Sequence, residues 1–303
     1  PIIADSFNLG QVSVGPPYFN ALFVPLTWLL LIAMGMGSNI RWKKDSRPLL
    51  GAGMVIAASS VVLAAIIAYF VSPSAMLNIG VTLAISFWVL LWMVVDFRDK
   101  TKNAPNRFKG LRQLRLSYWG QQIAHIGVIV AVIGVAFTTT LSIERDVALG
   151  PNDSVHVQGY DFVVKDFQEV RGSNFDATQA AVAISKDGRA VTTLYPEKRN
   201  FIISMMPMTE ASIDASLLRD VYVALGEPIA EDSNEWAFRI YVKPLIRWIW
   251  LGALIMAFGA ALSIFDSRYR IKKTKTLTPI APKPSEFATV TDLDTSAAKI
   301  GDK

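Results

Sequence analysis

The sequence contains no cysteine and only two histidines in 303 residues. Without cysteine, the chain forms no disulfide, gives zinc no thiolate ligand and has no thiol nucleophile. The positions of the two histidines, His125 and His156, are therefore informative. Charged residues are also sparse, at 18%, whereas hydrophobic residues make up 52%. This balance is typical of a membrane protein.

Several apolar stretches are long enough to cross a bilayer, which requires about 20 mostly apolar residues in a helix. The sequence predicts five such helices, at residues 21–37, 49–71, 79–95, 119–141 and 245–265. Residues 1–20, which contain the helix-breaking run Gly15-Pro16-Pro17, are interpreted as a periplasmic, interfacial lead-in. The chain starts without a signal-peptide pattern, and we expect it to be part of a longer or split protein.

Lysine and arginine are distributed unevenly between the loops. They are concentrated after the first, third and fifth apolar stretches, whereas the turn at residues 72–78 has none. The positive-inside rule therefore predicts that the basic loops are cytoplasmic and that residues 142–244 lie on the outer side. Residues 266–303 are predicted to be a basic, largely disordered cytoplasmic tail. The net charge of +5 thus gives no indication of nucleic-acid binding.

The outer segment, residues 142–244, has the alternation of β-strands. Strands are predicted at residues 154–157, 160–167, 179–184, 190–194 and 236–242. Asp187-Gly188 between two of them is a strong signal for a tight hairpin. The predicted fold class is a polytopic α-helical membrane protein with five transmembrane helices and an inserted all-β domain, a small antiparallel barrel or sandwich. This segment has no sequence pattern of a catalytic triad, phosphate loop or metal cluster.

His125 lies within the apolar stretch 119–141, about 9 Å from its start. An ionisable residue at such a place is costly and is a functional hypothesis by default. Three roles are open: ligation of a metal or haem iron, proton transfer, and a structural hydrogen bond to another helix. Ala124 and Gly127 are predicted to leave room beside the ring for a flat cofactor, and Gln121 to orient the ring from behind.

Other residues have weaker signals. Arg112 and Arg115 precede the helix that contains His125. They either reach haem propionates or only fix the orientation of that helix. His156 is predicted to be an ordinary histidine on a strand. Trp88 and Trp92, four residues apart, are interpreted mainly as interfacial anchors.

A series of linked motifs resembles the C-terminal part of the CcmF/CycK family, the membrane haem lyases of system I cytochrome c-type biogenesis. The resemblance covers nearly everything from about Phe7 to Arg270. The motifs, in family order, are SVGPPYFN at 13–20, AHIG at 124–127, ERD at 144–146, YPEKR at 195–199, MTEA at 208–211 with Ile213-Asp214, RDVYVALGE at 219–227 and YVKPLIRWIW at 241–250.

The resemblance implies a bacterial inner-membrane protein that holds a transmembrane haem b between two axial histidines, of which His125 matches the later one. It implies that the family accepts haem from a periplasmic haem chaperone through a tryptophan-rich (WWD) segment. The family then promotes thioether bonds between haem and the CxxCH thiols of apocytochrome c, which a thiol-reducing or presenting factor delivers. The transmembrane haem is proposed to reduce the incoming haem.

Several parts of the family pattern have no match in this sequence. The WWD segment, its two periplasmic histidines and the other axial ligand would belong to an N-terminal half, and His156 matches none of them. That half is an expected partner, and the present residues are expected to be inactive alone. No catalytic residue is assigned. Two alternatives stay open: a transporter or proton-relay subunit that uses His125, and a non-catalytic scaffold whose β-domain docks periplasmic partners.

Overall fold

The computed structural model describes residues 15–40, 49–230 and 234–266. Most of the predicted lead-in, the first basic loop and the predicted tail from residue 267 lie outside the described residues. The helices are α1 (Pro16–Gly37), α2 (Leu49–Val71), α3 (Met76–Thr101), the short α4 (Arg107–Gln113), α5 (Leu116–Leu141) and α6 (Ile246–Ile264). Among the described residues, all of these except α4 are long and apolar enough to cross a membrane. The predicted five-helix membrane architecture is confirmed.

Helix α3 lies at the centre of the bundle, in contact with α1, α2 and α5. On one side, Leu83 of α3 packs with Ala68 of α2. On another, Val89 of α3 packs with Leu31 of α1 and Ile129 of α5. The outer faces of the helices carry exposed apolar side chains, as expected for surfaces that meet lipid.

Helices α5 and α6 approach each other so closely that their backbones touch. Glycines recur at seven-residue intervals on both helices, at Gly120, Gly127 and Gly134 of α5 and at Gly252 and Gly259 of α6. A Cβ atom on any of them would come within 2.5–2.9 Å of backbone atoms of the other helix. Small residues at such an interface allow close van der Waals packing, which drives helix association in lipid.

The segment between α5 and α6 forms an antiparallel β-sandwich, which confirms the predicted all-β domain. Its strands are β1 (Ile143–Leu149), β2 (Ser154–Val157), β3 (Tyr160–Arg171), β4 (Phe175–Lys186), β5 (Arg189–Leu194), β6 (Glu197–Phe201), β7 (Pro207–Glu210), β8 (Ser212–Ala215), β9 (Arg219–Pro228) and β10 (Trp236–Pro244). One sheet has the order β1-β10-β9-β8, and the other β2-β3-β4-β6-β7, with β5 paired to β4. Buried side chains from both sheets, including Phe162, Val182, Leu225 and Phe238, form one core between them.

The β4–β5 hairpin has the turn that the sequence predicts. Lys186 pairs with Arg189, and the two residues between them, Asp187 and Gly188, have φ angles of 49° and 73°. Positive φ at both central positions defines the type I′ turn, whose twist matches that of the flanking strands.

The sandwich is joined to the start of α6 by polar contacts. The Asp220 carboxylate on β9 is 4% exposed and accepts a hydrogen bond from Arg247 Nε at 3.1 Å. Trp248 Nε1 donates to the Leu217 carbonyl oxygen at 3.1 Å. Since α5 also leads into β1 through Ser142 alone, both helices of the close α5–α6 pair carry the sandwich directly.

Candidate functional site

One face of α5 carries both His125 and the polar residues that surround it. Tyr118, Gln122, His125 and Ile129 are spaced by four, three and four residues, so they lie along one side of the helix. Tyr118, Gln122 and Ile129 are buried, and His125 is half-buried. Ile129 packs on Val89 of α3, so this face of α5 is the one that meets α3.

Asp96 on α3 is the charged centre of this interface and is only 5% exposed. It accepts hydrogen bonds from Lys100 Nζ, at 2.9 Å to Oδ1 and 3.2 Å to Oδ2, and from Gln122 Nε2, at 3.1 Å to Oδ2. Lys100 Nζ also lies 4.5 Å from the centroid of the Tyr118 ring. A carboxylate within a membrane helix is tolerated when it is paired in this way.

His125 itself has an unsatisfied nitrogen. Its Nδ1 atom is buried and has no hydrogen-bond partner among the described residues, and the same holds for Gln122 Oε1 and Tyr118 Oη on α5 and for Trp92 Nε1 on α3. A buried polar atom without a partner costs about 1–3 kcal/mol. Three of these four atoms, those of Tyr118, Gln122 and His125, lie on the face of α5 that meets α3, so this face is the candidate place for a further group to supply partners. The His125 side chain as a whole is only half-buried.

The space predicted beside His125 at Ala124 and Gly127 is filled. A Cβ on Gly127 would lie 2.6 Å from the backbone nitrogen of Met256, and one on Gly259 would lie 2.6 Å from the backbone nitrogen of Ala124. These small residues therefore serve the close contact with α6 and leave no room for a cofactor on that face. The prediction of a cofactor space there is wrong, because small residues allow a helix to approach as readily as a ligand.

Of the two neighbouring glutamines, the structure places Gln122 in the packed position and leaves Gln121 exposed. Both lie about one turn before His125, and only the direction from which α3 approaches determines which of them is buried. Arg112 and Arg115 are exposed, with Arg115 directly preceding the first turn of α5.

The tryptophans of α3 pack against other helices and are not anchors at the membrane surface. Trp88 Nε1 donates to the Ile32 carbonyl of α1 at 3.1 Å, and Trp92 is 1% exposed. Asn39, just beyond α1, donates to the Trp92 carbonyl at 3.2 Å. Their four-residue spacing fits this inter-helix role as well as an interfacial one, and the structure corrects the interpretation.

His156 lies on the sandwich and not at the α3–α5 interface. It is exposed on β2, and its Nδ1 lies 2.7 Å from Asp161 Oδ1 on the paired strand β3. This is the environment of an ordinary strand histidine. No group of three or more His, Asp or Glu side chains arranged to hold a metal ion occurs in the described part of the chain.

Asp96 and Gln122 are the polar residues that sequence reasoning missed. The apolar stretch ends at Val95, which places Asp96 at a predicted helix end, whereas α3 continues to Thr101 and Asp96 faces α5. The available signal was Lys100, four residues after Asp96, because an acidic and a basic residue at this spacing support a continuing helix.

Comparison with known proteins shows what the chain is similar to. Residues 140–244 match the model of the CcmF C-terminal β-sandwich. The cytochrome c-type biogenesis protein CcmF of Pseudomonas aeruginosa is 41% identical over 273 residues, which are 90% of this chain and 41% of that protein. The protein of the same name from Escherichia coli is 36% identical over 275 residues, 89% of this chain and 40% of that protein. The chain thus spans about two-fifths of the length of these curated relatives.

A solved structure shares the fold. The cytochrome c haem lyase CcmF superposes with a TM-score of 0.65 over 87% of this chain and 43% of that one, at 17% sequence identity. Together with the sequence matches, this confirms the resemblance that the motifs indicate. Residues 140–244 of the chain thus match the CcmF C-terminal β-sandwich, and the chain is similar over nine-tenths of its length to cytochrome c-type biogenesis proteins named CcmF.

Proposed function

We propose that this chain is the C-terminal portion of a membrane haem lyase that takes part in the covalent attachment of haem to apocytochrome c. Within it, His125 is one axial ligand of a resident transmembrane haem b. The observation that carries the proposal is the half-buried His125 ring, with a buried and unpartnered Nδ1, in a chain similar to CcmF.

The residues around His125 fit such a group. A neutral imidazole ligates iron through the nitrogen that carries no proton, and the other nitrogen then needs an acceptor. The apolar helices around it keep the ring away from bulk water. When bound, the haem supplies one-electron redox chemistry at its iron, whereas the chain supplies the ligand, its orientation and a low-dielectric setting.

Arg115 is the candidate contact for a haem propionate. It precedes His125 by ten residues, about 15 Å along the helix axis, so the contact needs an extended side chain and a propionate that points along α5. Its exposed position at the start of α5 leaves the guanidinium free to turn in that direction.

The proposed setting is a bacterial inner membrane with the β-sandwich in the periplasm, as the distribution of Lys and Arg indicates. The proposed partners are an N-terminal half with the WWD segment and the second axial ligand, a periplasmic haem chaperone, and apocytochrome c with its thiol-reducing or presenting factor. The sandwich would then lie on the side of the membrane where these soluble partners act.

The test is a reduced-minus-oxidised visible spectrum of the protein purified from membranes together with its N-terminal half. We expect a b-type band in the wild type, loss of most of that band in His125→Ala, and an unchanged band in His156→Ala. The control is well matched, because His156 is the chain's other histidine and is exposed on the sandwich. A full-strength band in a correctly inserted His125→Ala variant would contradict the proposal.

The buried Asp96 favours a proton-relay subunit as a second candidate function. Asp96 is hydrogen-bonded to Gln122, which precedes His125 by three residues on α5. Ionisable groups therefore occur at two depths along the helix bundle. The test is proton uptake into vesicles by protein that shows no haem band. Loss of this uptake in both His125→Ala and Asp96→Asn would favour the proton relay over the lyase.

A further inference from the structure

The hydrogen bonds of Gln122 determine which way its amide is turned. An ionised carboxylate only accepts hydrogen bonds, so Asp96 requires the NH₂ group of Gln122, which lies 3.1 Å from Asp96 Oδ2. Lys100 Nζ donates to both oxygens of the same carboxylate. The amide oxygen Oε1 of Gln122 is therefore directed away from Asp96, and it is buried without a partner among the described residues.

His125 presents the complementary atom on the same face of α5. Side chains three residues apart on a helix are neighbours, with Cβ atoms about 5–6 Å apart. Gln122 Oε1 can only accept a hydrogen bond, and His125 Nδ1 donates one when it carries the ring proton. Neither atom has another partner in the described part of the chain, and the third unpartnered atom on this face, Tyr118 Oη, lies close to Asp96. A hydrogen bond between them, direct or through one water molecule, would satisfy both Gln122 Oε1 and His125 Nδ1.

We propose that Gln122 is a positioning residue for His125: its amide oxygen accepts the Nδ1–H proton of the ring, and Asp96 fixes the amide for that purpose. The proton on Nδ1 leaves Nε2 without one, so Nε2 is the nitrogen that is ready to ligate iron. The assignment of the proton stands on the geometry of α3 and α5, and its use for haem ligation rests on the proposed function.

Such a contact also tunes a bound iron. A hydrogen bond from the ring to an acceptor orients the imidazole and raises its basicity as a ligand. A more basic ligand stabilises ferric over ferrous iron, so loss of the bond makes the reduction potential of the haem more positive.

The primary test needs no haem. The chain, labelled with ¹⁵N-histidine and placed in lipid bilayers, gives signals from two histidines only, and His156→Asn leaves His125 alone. Solid-state NMR then reports which ring nitrogen carries the proton. We expect Nδ1 in the wild type and in Gln121→Met, and a shift of the proton to Nε2 in Gln122→Met. Gln121 is the matched control, being the same residue type, adjacent on α5 and exposed.

Asp96→Asn provides a second variant that keeps the size of the side chain. An asparagine can accept or donate, so it no longer forces the Gln122 amide into one orientation. We expect signals from both ring forms of His125 in this variant. The wild-type pattern in Asp96→Asn would overturn the role of Asp96, and protonated Nε2 in the wild type, or protonated Nδ1 in Gln122→Met, would overturn the role of Gln122.

A measurement on the haem-loaded protein separates this inference from the proposed function. With the N-terminal half present, we expect the midpoint potential of the b haem to be more positive in Gln122→Met than in wild type and Gln121→Met. If the band depends on His125 but neither the potential nor the ring proton responds to Gln122, the inference fails and the lyase proposal stands. If the ring proton follows Gln122 but no band depends on His125, the lyase proposal fails instead.

Discussion

At the scale of single residues, charge inside the bundle is tolerated because each charged group has several partners. Asp96 is bound by Lys100 and by Gln122, and the ammonium of Lys100 also lies over the Tyr118 ring. Lys100 keeps 40% of its side chain exposed, so its charge is not fully removed from solvent or headgroups. The free-energy cost of burying charge therefore arises mainly at Asp96, and this is the position where a mutation is expected to have the larger effect.

We expect Asp96→Ala to lower the stability of the bundle by about 2 kcal/mol, because a hydrogen-bonded charged group and the partner of a buried amide are both lost. Thermal unfolding in detergent measures the effect. Asp99→Ala is the control: Asp99 forms an ion pair with Lys102 on the same helix, but at the surface, where such pairs contribute about 0–1 kcal/mol. Equal melting temperatures for the two variants would contradict the structural role of Asp96.

At the scale of elements, the α5–α6 pair determines where His125 points. Ala124 and Gly127 flank His125 and are held against Gly259, Gly252 and Met256 of α6, so rotation of α5 about its axis would break backbone contacts. The face that meets α3, with Gln122 and His125, follows from this restraint. Glycines that contact no ligand thus control the orientation of the candidate site.

We expect Gly127→Ala to destabilise the α5–α6 pair by about 1–3 kcal/mol, the usual cost of overpacking. The added Cβ would lie 2.6 Å from a backbone nitrogen, which cannot move aside as the end of a side chain can. The matched control is Gly51→Ala on α2, where nothing lies within 4 Å of the added atom. Melting curves should show a lower melting temperature for Gly127→Ala and no decrease for Gly51→Ala. Equal melting temperatures for the two variants would contradict the close packing of α5 on α6.

The elements that sequence reasoning predicted are those with local signals. Apolar length predicted the membrane helices, and Asp187-Gly188 predicted the β4–β5 hairpin, because both features depend on residues that are adjacent in the chain. The partners of Gly127 and Gln122 lie on other helices, so their roles could not be predicted from local spacing. His125 was found because an ionisable residue in an apolar helix is conspicuous, but the choice between Gln121 and Gln122 required the packing of α3.

At the scale of the whole molecule, α5 connects the membrane part to the sandwich. It carries His125 and continues into β1 through one residue, Ser142, while Arg247 and Trp248 hold β9 and the preceding turn against the start of α6. The sandwich is therefore attached firmly to the helix pair that carries the candidate ligand. A soluble partner that binds the sandwich is thereby positioned relative to His125.

The orientation of this unit in the membrane can be tested directly because the chain has no cysteine to remove. Ile203, between β6 and β7 of the sandwich, is 92% exposed, and Lys102, just after α3, has 58% of its side chain exposed. We expect a membrane-impermeant maleimide to label Ile203→Cys in intact spheroplasts and to label Lys102→Cys only after the membrane is opened. The reason is the Lys/Arg excess of the loop after α3, which predicts that this loop lies on the cytoplasmic side. The cysteine-free parent measures background labelling.

The reverse labelling pattern would place the sandwich in the cytoplasm, away from any periplasmic haem donor or apocytochrome. That result would contradict both the proposed topology and the proposed role of the sandwich.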